Sequence, residues 1–199
     1  MRDSVLRPTC PIATARLLLR PFAVSDIEDV WAYQRRPEVA RYMLWEARSR
    51  EQCRLAVDQM ATECGLAAEG DCLSLAVVWP EADRVVGQVE LVWQSESDRQ
   101  GEVGYVFNPD YRGRGFATEA VRALLRWGFE ELDLHRIIGR CDAQNSASIA
   151  LLERLRMRRE AHFVDNAFVK GAWCGTYVYA MLQREWRKSR TPANGCGPS

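Results

Sequence analysis

The 199 residues carry 27 Lys/Arg and 27 Asp/Glu, a formal net charge of +0, so bulk charge favours no polyanionic partner such as nucleic acid. Hydrophobic residues make up 47% and charged residues 27%, the balance of a soluble globular chain rather than a disordered or membrane one. Seven scattered cysteines (Cys10, Cys53, Cys64, Cys72, Cys141, Cys174 and Cys196) form no C-x-x-C pair, and the histidines are His135 and His162, so neither a disulfide framework nor a metal site is expected.

In chain order, Arg16–Phe22 reads as a short strand. Ser25-x-x-Glu28 has the form of a capping box opening a helix, with Ile27, Val30, Trp31 and Gln34 on one face. A second helix is predicted from about Ser49 to Glu63, with Cys53, Val57 and Met60 inward. Leu73–Trp79 and Val85–Trp93 flank the turn Pro80-Glu81-Ala82-Asp83 and read as a hairpin, Val89, Leu91 and Trp93 alternating with Gln88, Glu90 and Val92. Glu102–Phe107 is a further strand, ended by Asn108-Pro109-Asp110.

The clearest helix follows: Ala117, Ala120, Val121, Leu124, Leu125 and Gly128 recur at helical spacing. His135–Cys141 reads as a buried strand, Asn145–Met157 as a helix, and Arg159–Val164 and Thr176–Leu182 as two closing strands. The expected architecture is α/β (α+β): a mixed sheet of about seven strands flanked by about four helices, not a regular βαβ repeat. Residues 1–186 read as a single domain and the polar residues 187–199 as a flexible tail. Lacking a signal-peptide pattern and any run of ~18 apolar residues, the chain is expected in the cytoplasm with no membrane partner.

Arg112-Gly113-Arg114-Gly115-Phe116-Ala117-Thr118 joins a strand to the clearest helix. Glycines there let backbone approach a ligand closely. The unpaired N–H groups and dipole of the helix start favour a bound anion such as a diphosphate. The same residues also suit a plain tight turn. Gly113-x-Gly115-x-x-Thr118 is one residue short of the dinucleotide fingerprint and follows the wrong elements for it; no G-x-x-x-x-G-K-[ST] string exists.

Arg112-x-x-Gly115-x-Ala117 resembles the Q/R-x-x-G-x-G/A signature of the GCN5-related N-acetyltransferase (GNAT) superfamily. Further matches resemble its RimJ/RimL-type branch: Thr14–Phe22 with Ser25-Asp26, Gly101–Val106 leading to Pro109-x-Tyr111-Arg112-Gly113, Thr118-Glu119-Ala120, Asn145-x-x-Ser148, Trp173 with Tyr179, and Glu185-Trp186. The resemblance implies acetyl-CoA as donor, an amine acceptor such as a protein N-terminus or a small molecule, no metal, and dimers among relatives. It implies a sheet splayed between its fourth and fifth strands, with the pantetheine arm beside Tyr105, Val106 and Phe107. A backbone N–H near Val106 would polarise the thioester carbonyl. The diphosphate would lie on Gly113, Arg114, Gly115, Phe116, Ala117 and Thr118, with Arg112 at the rim.

Asn145 and Ser148 stand where the family contacts the cofactor arm, and Ser148 would donate to the leaving thiolate. Each also suits a structural role: Asn145 as a helix N-cap, Ser148 in a first turn. The proton acceptor is open. Some RimL-type enzymes have a Glu nineteen residues past the serine, where this chain has Ala167; Asp165 would share that face in an extended strand. Glu102 is the other candidate. Gly175 replaces an Asp common in the branch. Tyr42 and Trp45 lie in the loop that lines the acceptor site in the family. The functional expectation is an acetyl-CoA-dependent N-acetyltransferase acting by direct attack in a ternary complex. A longer acyl donor, a non-catalytic acyl-CoA-binding module (motivated by Ala167 and Gly175) and a nicotinamide-binding protein are the alternatives.

Overall fold

The computed structural model describes residues 5–190. Its apolar segments pair as β1 (Ile12–Ala13), β2 (Leu18–Arg20), β3 (Cys72–Trp79), β4 (Arg84–Ser95), β5 (Gln100–Phe107), β6 (Arg136–Asp142), β7 (Arg158–Val169) and β8 (Ala172–Leu182). They form one mixed sheet in the order β1-β2-β3-β4-β5-β6-β8-β7. Every neighbouring pair is antiparallel except β5 and β6. The helices are α1 (Ile27–Gln34), α2 (Pro37–Ala40), α3 (Arg50–Thr62), α4 (Phe116–Glu130), α5 (Ser146–Arg154) and α6 (Gln183–Arg190).

Among the described residues the sheet therefore has eight strands instead of about seven, and six α-helices flank it instead of about four. β1 has two residues and α2 four, too few to print a periodicity. Residues 187–190, expected in the tail, continue α6; 191–199 lie outside the described residues.

α3 has the reciprocal cap that its sequence suggests: Ser49 Oγ accepts from Gln52 N–H (3.2 Å) and Gln52 Oε1 from Ser49 N–H (2.8 Å). The cap expected at Ser25 and Glu28 is not made. Asp26 instead accepts from Ala23 N–H (2.8 Å), while Arg20 grips its carboxylate in a fork (2.7 and 2.8 Å). Glu28 pairs with Arg50 on α3 (2.6 Å).

Two layers cover the sheet. α4 and α5 pack on one face, burying Leu91, Val103, Val121, Leu124, Leu125, Ile137 and Leu152 in the main core. A fully buried leucine or isoleucine contributes about 1.5–3 kcal/mol, so this core dominates stability. α1 and α3 pack on the other face over Ala76, Val85 and Val106, through Val30, Tyr33, Cys53, Val57 and Met60.

β5 and β6 stay together for only three ladder pairs: Gln100↔Arg136, Gly101↔Ile137 and Glu102↔Ile138. Beyond Glu102, β5 continues along β4 to Phe107, while β6 follows β8 to Asp142. The sheet is splayed between these strands, and the gap opens beside the start of α4.

Candidate active site

Gly113 (φ +77°) and Gly115 (φ +79°) both adopt the left-handed conformation that side chains disfavour. A Cβ on Gly113 would meet nothing within 4 Å, so the turn faces open space. Gly115 is the N-cap of α4, and its carbonyl accepts the first helical bond, from Glu119 N–H (3.0 Å). The N–H groups of Phe116, Ala117 and Thr118 precede that first bond and have no intrahelical acceptor. Arg112 and Arg114 are exposed, with Arg114 lying over Trp79 (4.9 Å). Open space beside the turn, helix-start amides without intrahelical acceptors and exposed guanidiniums fit a diphosphate.

The turn is braced from the N-terminal segment. Arg16 binds the Glu119 carboxylate with Nε (2.9 Å) and Nη2 (2.6 Å) and donates through Nη1 to Arg114 O (2.8 Å). Thr14 Oγ1 donates to Glu119 as well (2.6 Å). Burial alone would raise the Glu119 carboxyl; the bonds from Thr14 and Arg16 outweigh it and hold it below its usual range. Thr14-Ala15-Arg16 and Glu119, noticed in the sequence only as family text, thus fix the backbone of the glycine turn.

Along the splay, backbone direction separates the three residues expected to line the cofactor arm. Asn108 N–H donates to Val86 O on β4 (2.9 Å), and Arg99 O accepts from His135 N–H (2.8 Å) just before β6. Alternation along the strand then directs the backbone groups of Val103, Tyr105 and Phe107 into the gap, and those of Gly104 and Val106 toward β4. The Val106 amide therefore belongs to the β4 ladder, and the N–H groups near it that face the gap are those of Tyr105 and Phe107. Val106 contributes its buried side chain to the α1/α3 layer.

Across the gap, Asn145 caps α5: its Oδ1 accepts from Ser148 N–H (3.1 Å). Ser148 is buried, and its Oγ lies 2.5 Å from the Tyr105 hydroxyl. This bond joins β5 to α5 over the gap. Burial pushes the Tyr105 hydroxyl well above its ordinary value, so it remains protonated at neutral pH. Burial likewise pushes the Cys141 thiol up to about 11, against the bond from Ser148, so Cys141 is no thiolate nucleophile.

The loop between α2 and α3 closes one end. Tyr42 is half-buried and its hydroxyl donates to Gln144 O beside the α5 cap (3.3 Å). Trp45, also half-buried, stacks under Arg48 (4.6 Å). The β7–β8 hairpin reaches the same loop: Lys170 Nζ donates to Ala40 O and Trp45 O (2.8 Å each) and lies 3.4 Å from Glu46. Lys170 and Gly171 form the two-residue turn at φ +52° and +81°. That turn favours Asn-Gly, so a lysine there accepts backbone cost in return for its tertiary contacts.

The two carboxylates proposed from sequence are placed differently. Glu102 lies at the last closed β5–β6 pair, 3.6 Å from Arg140 and bonded by Gln94 (3.2 Å); burial raises it and Arg140 opposes. Asp165 is exposed at a bulge (φ +45°) between Phe163 and Ala167, which breaks the alternation that would align it with Ala167. Gly175 opposite that bulge has a packing reason: a Cβ would stand 2.9 Å from Phe163 O and 3.6 Å from the Ala143 Cβ. No group of three or more metal-ligating side chains occurs among the described residues. No helix among them is long and apolar enough to cross a membrane.

Known proteins share this sequence pattern and fold. Residues 16–158 match the family described as "Acetyltransferase (GNAT) domain". The uncharacterized N-acetyltransferase YnaD of Bacillus subtilis is 32% identical over 88% of this chain and 98% of its own. The crystal structure of a GNAT-family acetyltransferase from Bacillus anthracis superimposes with a TM-score of 0.76 at 31% identity, covering 87% of this chain and 98% of that one. A Vibrio cholerae spermidine N-acetyltransferase, solved with CoA and spermine, shares the fold at 20% identity (TM-score 0.72; 87% and 99% covered). By sequence and by fold, the chain is an acetyltransferase of the GNAT family.

Proposed function

We propose that the protein transfers an acetyl group from acetyl-CoA to a primary amine by direct attack in a ternary complex. The observation that carries the reading is the splay: β5 leaves β6 after three pairs, beside a glycine turn that opens α4 and opposite a buried serine on α5. When bound, acetyl-CoA supplies the acetyl group as a thioester. The amides from Gly113 to Thr118, with Arg112 and Arg114, would hold its diphosphate, and Asn145 and Ser148 would border its arm. The gap-facing backbone of Tyr105 and Phe107 offers donors to an oxygen that gains negative charge. Ser148 holds a proton that it can give to a departing thiolate, and Tyr105 stands 2.5 Å away to restore it.

Tyr42 and Trp45, in the loop held by Lys170, line the acceptor side of this reading. An α-amine is the favoured acceptor: deprotonating it at pH 7 costs about 1 kcal/mol, against about 4.6 kcal/mol for a lysine. This suits a protein N-terminus. A small-molecule amine is the second reading, favoured by the carboxylates of Glu46, Asp142 and Asp165 around the loop and hairpin. The test is thiol release from acetyl-CoA with free-N-terminus peptides, polyamines, aminoglycosides and amino acids. Release dependent on one class assigns the acceptor. Binding of acetyl-CoA without release by any amine would contradict catalysis, and preference for a longer acyl-CoA would change the donor.

A further inference from the structure

The reaction leaves one task unassigned, removal of the proton that an ammonium acceptor carries at neutral pH. Asp165 is displaced by its bulge, and Glu102 lies where the sheet is still closed, beside Arg140.

Glu90 lies on β4 opposite Gly104, on the stretch of β5 that has already left β6. Its side chain is on the α1/α3 face of the sheet, the side opposite the α5 layer that supplies Ser148. Although β4 is an interior strand, Glu90 is partly exposed, whereas Gln88, two residues before it on the same face, is buried (5% exposed). Gly104 shapes the opening: a Cβ there would stand 3.2 Å from Glu90 Oε2.

A buried hydrogen-bond chain aims the carboxylate. Gln88 Oε1 accepts from Tyr33 OH (3.1 Å) and Gln34 Nε2 (2.9 Å), which turns Gln88 Nε2 onto Glu90 Oε1 (2.6 Å). Arg48 Nη1 in turn donates to Gln34 Oε1 (2.7 Å). The titratable and charged groups around Glu90 are Tyr33 of α1, Arg48 before α3, Glu63 after α3, Cys72 of β3 and Glu102 of β5. Burial raises the Glu90 carboxyl above its usual range; the Gln88 bond and Arg48 oppose this, and Glu63 adds to it. A base works best when its pKa approaches the operating pH.

We propose that Glu90 is the proton acceptor for the attacking amine, an assignment that rests on the acetyl-transfer reading. The ammonium gives one proton to the Glu90 carboxylate and becomes a neutral amine. The N–C bond forms and the C–S bond breaks; the sulfur leaves with the proton of Ser148. The second N–H proton leaves the acylated nitrogen and, relayed through the Tyr105 hydroxyl, replaces the one Ser148 gave. Glu90 then returns its proton to water, so one ammonium and one thioester yield an amide, a thiol and one proton.

The experiment compares wild type with Glu90→Gln from about pH 6 to 10, using the amine that the wild type turns over fastest in the thiol-release panel, and measures acetyl-CoA affinity in parallel. The expected result at pH 7 is kcat/KM lower by about 100-fold with acetyl-CoA Kd within about twofold, the deficit closing as pH approaches the amine's own pKa. Equal rates at every pH, or a deficit that stays constant with pH, would overturn the role of Glu90 alone. A wild type that binds acetyl-CoA but acetylates no amine would overturn the transfer reading and Glu90 with it. If Glu90→Gln does not fold, Glu90→Asp reads the same role: a displaced acidic limb of kcat/KM supports it and an unmoved limb refutes it.

Discussion

The two faces of the central sheet are built differently. Under α4 and α5 the packing is almost wholly apolar, and polar groups gather at its edge, on the glycine turn and the α5 cap. Under α1 and α3 a polar chain runs from the buried Tyr33, Gln34 and Gln88 out to the partly exposed Glu90. On the proposed reading the first face offers the donor its place, centred on one contiguous glycine turn that Thr14 and Arg16 brace from afar. On the same reading the second meets the acceptor, with groups from α1, β4 and a distant hairpin. The proposed donor turn is thus written in one short stretch of sequence, and the proposed acceptor side wholly through tertiary contacts.

The largest effect expected from breaking this contrast is on the donor side. Gly115→Glu puts a bulky anion where the diphosphate belongs, in a left-handed conformation costing about 1–2 kcal/mol, with space for the Cβ 3.4 Å from Arg16. Calorimetry should show acetyl-CoA affinity reduced at least about 100-fold in a folded protein. Unchanged affinity would remove the turn from the donor site.

Ser148→Ala is expected to be the next largest. Turnover should fall about 10- to 100-fold while acetyl-CoA Kd stays within about twofold, because the Asn145 cap uses the Ser148 backbone and not its hydroxyl. An unchanged rate across a pH series would deny Ser148 the role of acid. Lys170→Met should be smallest and should act on the acceptor side. Losing two charge-assisted bonds to the loop, partly solvent-exposed, costs about 1 kcal/mol. The acceptor KM should rise about fivefold with kcat and acetyl-CoA affinity little changed; an equal rise in acetyl-CoA Kd would erase the distinction between the faces.

The same division explains what could be read from the amino acids alone. The glycine turn, the α4 stripe and the inward face of α3 depend on neighbours within a few residues, and each was legible. The first helix misleads because its cap comes from Asp26 held by Arg20, and Ser25-x-x-Glu28 imitates the usual spacing. Gln88 and Glu90 alternate with the apolar residues of their strand, but period-two patterning cannot reveal that a second helical layer buries Gln88 on that side. Arg159–Val164 was legible as a strand, but β7 is exposed along most of both faces, so no alternation marks its extension to Val169, and the Lys170-Gly171 turn lacks the usual Asn-Gly signal. The Tyr105–Ser148 bond spans 43 positions and has no local signature.

The central claim is that the donor docks at the start of α4 and threads the gap between β5 and β6. A crystal structure of the complex with coenzyme A tests it directly. The account predicts diphosphate oxygens about 2.9 Å from amides between Gly113 and Thr118, and the sulfur in the gap near Ser148. Coenzyme A bound elsewhere, or a gap closed by side chains with the turn empty, would contradict it.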